Sequence, residues 1–357
     1  MSHIKNGWYI AAWAEEISTK PLARTIGNEP LVLYRDAGGK AAALLDRCCH
    51  RGAALSLGEV VPEGLQCGYH GLVFGTDGKC VRIPGQDKIP PTAFVRSYVV
   101  EEKDEIIWIW LGDPAAADIG QIIDYPYHND HQKWPHKLGM LRIEGHHMLL
   151  IDNLMDLTHL GFVHRSTIGS GPVQAYVDAI MNTERTPRGV KFTRWFLDHE
   201  PPATYTRAVP FKGKVDRWQE FEFVAPGAVI QFTGAVDANT GAYDQGRRDG
   251  GVALRLLHAS TPETDNSSFY FFSTANGHRQ NDPVACEQLF TESVRTFKED
   301  KVFIERQHAM LEKYPDEPLL DIVSDAARVH ARRHVNACLA AEAEVAAAMP
   351  AKSLNGS

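Results

Sequence analysis

The residues with the clearest chemical potential are Cys48-Cys49-His50-Arg51, followed after fifteen residues by Cys67-Gly68-Tyr69-His70. Two thiolates and two imidazoles this close together can hold metal. A structural zinc accepts such a set. So does a [2Fe-2S] cluster in which two thiolates bind one iron and two histidines the other. The spacing favours iron, because one residue separates Cys48 from His50 whereas zinc sites usually open with a wider Cys-x(2–4)-Cys pair. Gly52, Gly68 and Gly71 permit tight turns that bring backbone amides toward the sulfurs. A Cys48–Cys49 disulfide would leave both histidines unexplained.

A second set lies in Asn153-Leu154-Met155-Asp156-Leu157-Thr158-His159-Leu160-Gly161-Phe162-Val163-His164. Its helical context begins near Met148. Asn153, Asp156 and His159 recur every third residue and line one side of that helix. Leu150, Leu154 and Leu157 are then free to face the core. His164 sits roughly 140° around an ideal helix from His159. For both rings to reach one ion the helix must end or deform, and Gly161 is the expected place. Two hydrogen-bonded core histidines would explain the pair taken alone. Downstream of a one-electron cluster the stronger reading is a 2-His-1-carboxylate triad on ferrous iron, which leaves positions open for oxygen. The carboxylate is Asp300, which shares a helix face with Phe297, Phe303, Ile304 and Gln307. A carboxylate on an apolar face needs a partner. A plain surface aspartate is the alternative, and Glu299 and Glu305 read as solvent-facing or structural.

The elements that must carry these ligands fall into two groups, and 357 residues suffice for two domains with separate cores. Trp8, Tyr9 and Trp13 are packing anchors. Strands are expected at Leu31–Arg35 and Ala41–Asp46 around a Gly38-Gly39 turn, and at Leu65–Cys67, Leu72–Phe74 and Cys80–Ile83 with an Asp77-Gly78 turn. Phe94–Val100 and Ile106–Trp110 complete a small antiparallel β domain, residues 1–115, with the cluster at two loop tips. A connector at 116–135 follows, and 136–357 forms the mononuclear iron domain. There, strands are expected at Val190–Trp195, Trp218–Phe223, Val229–Thr233, Val252–His258 and Ser268–Thr274. Loops are expected at Pro201-Pro202 and from Gly234 to Gly251, the latter able to cover a pocket with Arg247 and Arg248. His258 is either a satisfied core histidine or a donor to substrate. Arg207 reads as a surface residue. Ala326–Ala347 is strongly helical and should pack across the second domain or a neighbour.

Composition narrows the function. A net charge of -8 argues against a nucleic-acid partner, which calls for a basic surface. No apolar run is long enough to span a bilayer, and no signal segment opens the chain, so a soluble cytoplasmic protein is expected. The remaining cysteines, Cys80, Cys286 and Cys338, are widely spaced and fit buried or free thiols.

The 48–71 block resembles the Rieske domain of ring-hydroxylating oxygenases, with Cys48, His50, Cys67 and His70 on the family's ligand positions and Cys49 at a variable one. Asn153 to His164 resembles the catalytic motif of the Rieske non-haem iron oxygenases, and Glu299-Asp300-Lys301 their late ligand segment. Over nearly its full length the chain is most similar to vanillate and dicamba O-demethylase oxygenases. This resemblance implies an α+β architecture, a Rieske β domain followed by a helix-grip-like catalytic domain with an antiparallel sheet and helices. It implies a [2Fe-2S] cluster and a mononuclear Fe(II), with Asp156 as an electron bridge between subunits and Asn153 close to the iron. It implies head-to-tail homotrimers and electrons from NAD(P)H through a ferredoxin or flavin reductase. The expected substrates are O2 and a methoxylated aromatic acid, which would yield a phenol and formaldehyde. His258 and Thr291 fall on substrate-contacting positions, Thr291 where dicamba-type relatives have tryptophan. Ring dihydroxylation, methyl hydroxylation and N-demethylation are alternatives within the family. A Rieske electron carrier fused to a binding domain is the alternative outside it.

Overall fold

The computed structural model describes residues 3–165, 167–169 and 179–348. The first ten strands are β1 (Trp8–Trp13), β2 (Leu22–Ile26), β3 (Glu29–Arg35), β4 (Ala41–Leu45), β5 (Glu59–Val61), β6 (Gly64–Gln66), β7 (Val73–Phe74), β8 (Cys80–Arg82), β9 (Ser97–Lys103) and β10 (Ile106–Trp110). They form a six-stranded sheet in the order β1-β10-β9-β4-β3-β2 and a four-stranded sheet β5-β6-β7-β8. All pairings are antiparallel. The Gly38-Gly39 turn joins β3 to β4, with Gly39 at φ +83°, a conformation that glycine adopts without steric cost.

The second group is one seven-stranded antiparallel sheet. Its strands are β11 (His136–Ile143), β12 (Ile180–Thr186), β13 (Gly189–His199), β14 (Val215–Val224), β15 (Ala228–Asp237), β16 (Val252–Pro262) and β17 (Ser268–Asn276). Five were expected from the sequence. The edge strands β11 and β12 were not, because β12 is mostly exposed and polar and the half-exposed β11 carries no regular apolar alternation, which weakens the pattern that signals a strand. Helices α1 (His147–Met155), α2 (Leu160–Val163), α3 (Ala203–Ala208), α4 (Pro283–Lys313) and α5 (Ala326–Ala348) complete this half. The result is α+β.

Strand β17 shows how the sheet serves both halves. All nine of its residues are buried, and alternate side chains face opposite ways. Tyr270 and Phe272 join the core with Phe297 and Ile304 of α4. Phe269 and Phe271 join Trp8, Trp13, Trp108 and Trp110 of the first domain. The seam between the domains is therefore a hydrophobic core in its own right, reinforced by hydrogen bonds from Thr261 Oγ1 to Ile10 O at 2.8 Å and from Trp13 Nε1 to Gly139 O at 3.2 Å.

Gly234 sits inside β15 rather than at the start of a loop. A Cβ there would lie 2.3 Å from the Trp218 indole, so the glycine admits a neighbouring tryptophan. The following loop is pinned, because the Arg248 guanidinium lies over Trp195, Trp218 and Phe232 and pairs with Glu220 at 2.7 Å. Helix α5 packs on α1 and β13. Its Arg332 grips Asp152 at 2.6 and 2.8 Å, and Glu342 accepts the backbone N–H of Lys5 and Asn6. Among the described residues no helix is long and apolar enough to cross a membrane.

Candidate metal centres and substrate cavity

Two matching loops present the cluster ligands. In each the cysteine amide bonds across its loop, Cys48 N to Ala53 O and Cys67 N to Leu72 O, both at 2.8 Å. In each a glycine turns back onto the cysteine carbonyl, Gly52 N to Cys48 O and Gly71 N to Cys67 O, both at 3.0 Å. These glycines have φ +72° and +74°, where other residues are strained. Cys48 and Cys67 are buried, while His50 and His70 are exposed with ring centroids 4.6 Å apart. Thiolates inside and imidazoles at the surface fit a Rieske cluster whose histidine-bound iron is the electron port. Cys49 is exposed and outside the set.

The second centre forms where α1 stops. The backbone breaks at Asp156, with φ −132° and ψ 107°, five residues earlier than the expected deformation at Gly161. The Asp156 carboxylate accepts Thr158 N at 2.9 Å and Thr158 Oγ1 at 2.8 Å, capping a short 3-10 turn, Leu157–His159. This cap draws the chain out of the α-helix because aspartate competes well for local backbone donors. Asn153, Asp156 and His159 thus share one side through a cap and a turn, not through helical periodicity.

His159, His164 and Asp300 bring their ligand atoms within 4.8 Å of one another. His164 Nε2 is 3.0 Å and His159 Nε2 3.4 Å from Asp300 Oδ1. The far nitrogens are fixed. His159 Nδ1 donates to Asp156 O at 2.7 Å and His164 Nδ1 donates to the Glu299 carboxylate at 2.8 Å. Such partners lock the tautomer that turns Nε2 toward a metal. Asn153 Nδ2 donates to Asp300 Oδ1 at 3.0 Å. Burial works against the Asp300 carboxylate, yet His159 and His164 outweigh it and hold its pKa at about 2. The donor set fits a non-haem ferrous ion, which supplies open positions for O2 when bound. Glu299, read from the sequence as solvent-facing or structural, also accepts Thr167 Oγ1 at 3.0 Å and orients a ligand. Phe303 and Gln307 are exposed, while Phe297 and Ile304 share the buried face with Asp300.

One turn of α4 before Asp300, at Phe297, is the near end of a cavity of about 140 Å³ that none of the three iron ligands lines, close to the roughly 150 Å³ that accepts one benzene ring. One face of the sheet forms its floor, with Arg217 and Gln219 from β14, Gln231 and Thr233 from β15, and Leu254 and Leu256 from β16. Each pair is two residues apart, as one face of a strand requires. The roof is a stripe of α4 through Gln288, Leu289, Glu292, Ser293, Thr296 and Phe297, which continues to Asp300.

Thr291 does not line this cavity. It lies off the stripe and is exposed, since a residue one step from Glu292 is turned about 100° around the helix. His258 is likewise no cavity wall. It is buried, and its Nδ1 lies 2.7 Å from Tyr270 OH and its Nε2 2.8 Å from Gln231 Oε1. Burial lowers its pKa to about 3, so the ring is neutral. With Nε2–H donating to Gln231 Oε1, the Gln231 amide N–H groups are left to the cavity. Arg207 pairs with Glu292 at 2.6 Å at the cavity rim.

Arg217 had no signal in the sequence. It is 6% exposed, its guanidinium lies over Phe196 and Tyr205, and its Nε has no hydrogen-bond partner. Among the described residues no carboxylate pairs with it. Gln219 Oε1, Thr204 Oγ1 and His278 Nδ1, from residues lining the same cavity, are also unpartnered.

Comparison with known proteins agrees with this geometry. Residues 7–98 match the Rieske [2Fe-2S] domain model and residues 143–341 the vanillate O-demethylase oxygenase C-terminal domain model. The chain is 38% identical to the toluene-4-sulfonate monooxygenase iron-sulfur subunit TsaM1 of Comamonas testosteroni, covering 95% of this chain and 98% of that one. It is 37% identical to a vanillate O-demethylase oxygenase subunit from Pseudomonas sp. strain HR199, covering 98% and 99%. The crystal structure of dicamba monooxygenase bound to 3,6-dichlorosalicylic acid superposes with a TM-score of 0.88 at 33% identity, covering 96% and 99%. With a Rieske cluster loop, a 2-His-1-carboxylate centre and these relatives over nearly all its length, the chain belongs to the Rieske non-haem iron oxygenases, in the branch of the vanillate and dicamba O-demethylase oxygenases.

Proposed function

We propose that the chain is the terminal oxygenase of an aromatic O-demethylase acting on a small aromatic anion. The observation that carries this reading is Arg217, a buried guanidinium without a carboxylate partner in a cavity sized for one ring. Burying a lone cation is costly unless an anion meets it. A substrate carboxylate or sulfonate would do so, helped by the amide of Gln231. Anchored there, the ring would extend beneath Thr296 and Phe297 toward Asp300, bringing its methoxy carbon to the iron. Orientation of that kind converts a loose encounter into a reactive one.

In this reading one atom of O2 enters a methyl C–H bond and the other leaves as water, using two electrons and two protons. The hemiacetal then collapses to a phenol and formaldehyde. The electrons come from NAD(P)H through a ferredoxin or flavin reductase. Asp156, beside His159, is the bridge to the cluster of a neighbouring subunit, which calls for a head-to-tail ring such as a homotrimer.

Hydroxylation of an aryl methyl group is the second reading, favoured by the relatives named for toluene-4-sulfonate. Reconstituted protein with a surrogate reductase, NADH and a panel of aromatic acids separates them. Formaldehyde matched one-to-one by a phenol supports demethylation. A benzylic alcohol without formaldehyde overturns it in favour of methyl hydroxylation.

A further inference from the structure

We propose that Glu105, His131 and His136 form a binding site for a divalent transition metal such as Zn²⁺ at the seam between the two domains, separate from both iron centres. Glu105 sits at the tip of the β9–β10 hairpin, where Asp104 and Glu105 both have positive φ, 57° and 61°. That backbone is unusual for a residue with a long side chain. Asp104 holds the segment before β11, accepting from Tyr125 N at 3.0 Å and from His128 Nδ1 at 2.7 Å. This brings two imidazoles to the Glu105 carboxylate, His131 Nε2 at 2.7 Å from Oε1 and His136 Nε2 at 2.9 Å from Oε2.

The hydrogen bonding at His136 points to a cation. Its Nδ1 is 3.1 Å from Trp134 O, an acceptor only, so Nδ1 carries the proton. Nε2 then faces a carboxylate oxygen, an arrangement that calls for positive charge between the two atoms, either a proton on Nε2 or a metal ion. An imidazole that gives its far N–H to a backbone carbonyl and turns its lone pair to a carboxylate-bearing site has the arrangement of a metal ligand. His128 stacks on His136 at 4.4 Å, but its second nitrogen is 2.8 Å from Ser273 Oγ, so both nitrogens are engaged and it serves as a wall. The site opens into a cleft bordered by Glu15, Arg35 and Lys137, the two cations being paired with Glu102 and Glu287. Two neutral imidazoles and one carboxylate suit zinc, with water completing four ligands, and do not suit calcium or magnesium, which prefer oxygen. The three ligands come from the first domain, the connector and the first strand of the second sheet, so an ion here would clip the seam.

The test uses the full chain with both iron centres loaded, titrated with Zn²⁺ while bound iron is counted. The expected result is one zinc per chain with iron retained, and a Kd raised at least tenfold by Glu105→Gln and by His131→Ala. The zinc-edge absorption spectrum should show nitrogen and oxygen neighbours at about 2.0–2.2 Å. Absence of zinc binding overturns the proposal. Equal binding by wild type and both variants, or sulfur neighbours near 2.3 Å signalling capture by cysteine ligands, overturns it as well.

Discussion

Glu299 accepts the Nδ1–H of His164 at 2.8 Å, while the adjacent Asp300 faces Nε2 of the same ring at 3.0 Å. Consecutive carboxylates on one helix thus take opposite sides of a single imidazole, one orienting it and one sharing its metal. Replacing Glu299 by Gln should weaken mononuclear iron binding by about 10- to 100-fold, the usual effect of losing such a partner. Iron content and the visible spectrum check this together. The cluster bands should persist while turnover and mononuclear iron fall.

Arg217→Met keeps the stem against Phe196 and Tyr205 but removes the charge. A hydrogen bond to a charged group contributes about 1.5–3 kcal/mol, so affinity for an anionic aromatic should drop roughly 10- to 100-fold. Binding of a neutral analogue should change little. Equal losses for both ligands would remove Arg217 from the anchoring role.

Acid should destabilise the fold through its buried histidines. Burial holds His258 at about 3 and His146 at about 4, against about 6.5 in an unfolded chain. Both folded values are depressed, so the stability is present above pH 6.5 and is lost as pH falls toward 4. In that window the unfolded state binds two more protons from these groups, a slope of about 3 kcal/mol per pH unit. Urea midpoints between pH 6.5 and 4.5 measure it, and His258→Gln should make the fall visibly shallower.

Cys49 is exposed beside two cluster ligands. Cys49→Ser should leave the visible and paramagnetic signature of the cluster unchanged, whereas Cys67→Ser or His70→Ala should abolish it. Loss of signal in Cys49→Ser would assign that thiol a part in the cluster.

The cluster ligands were legible because they crowd into one short stretch whose spacing is itself chemical. Asp300 was legible as a carboxylate on an apolar helix face. Glu299 was not, since its partner is 135 residues away and nothing local marks it. Arg217 and Gln219 occupy alternate positions of β14, where polar residues would ordinarily indicate a solvent face. They face a cavity that exists only once α4 lies across the sheet. The turn at Asp156 was missed for a different reason, because a side-chain cap overrode a pattern that continues helically in the sequence.

The roof stripe of α4 has a further consequence. Its stretch from Glu292, tied to Arg207 at the rim, to Asp300 at the iron is eight residues of helix and spans about 12 Å. In the proposed binding mode the helix therefore works as a ruler. A substrate much longer than that between its reacting carbon and its far end would have to displace the Arg207–Glu292 pair. Changes at Gln288, Leu289 or Ser293 could rescale the accepted length while leaving the two carboxylates at the metal untouched.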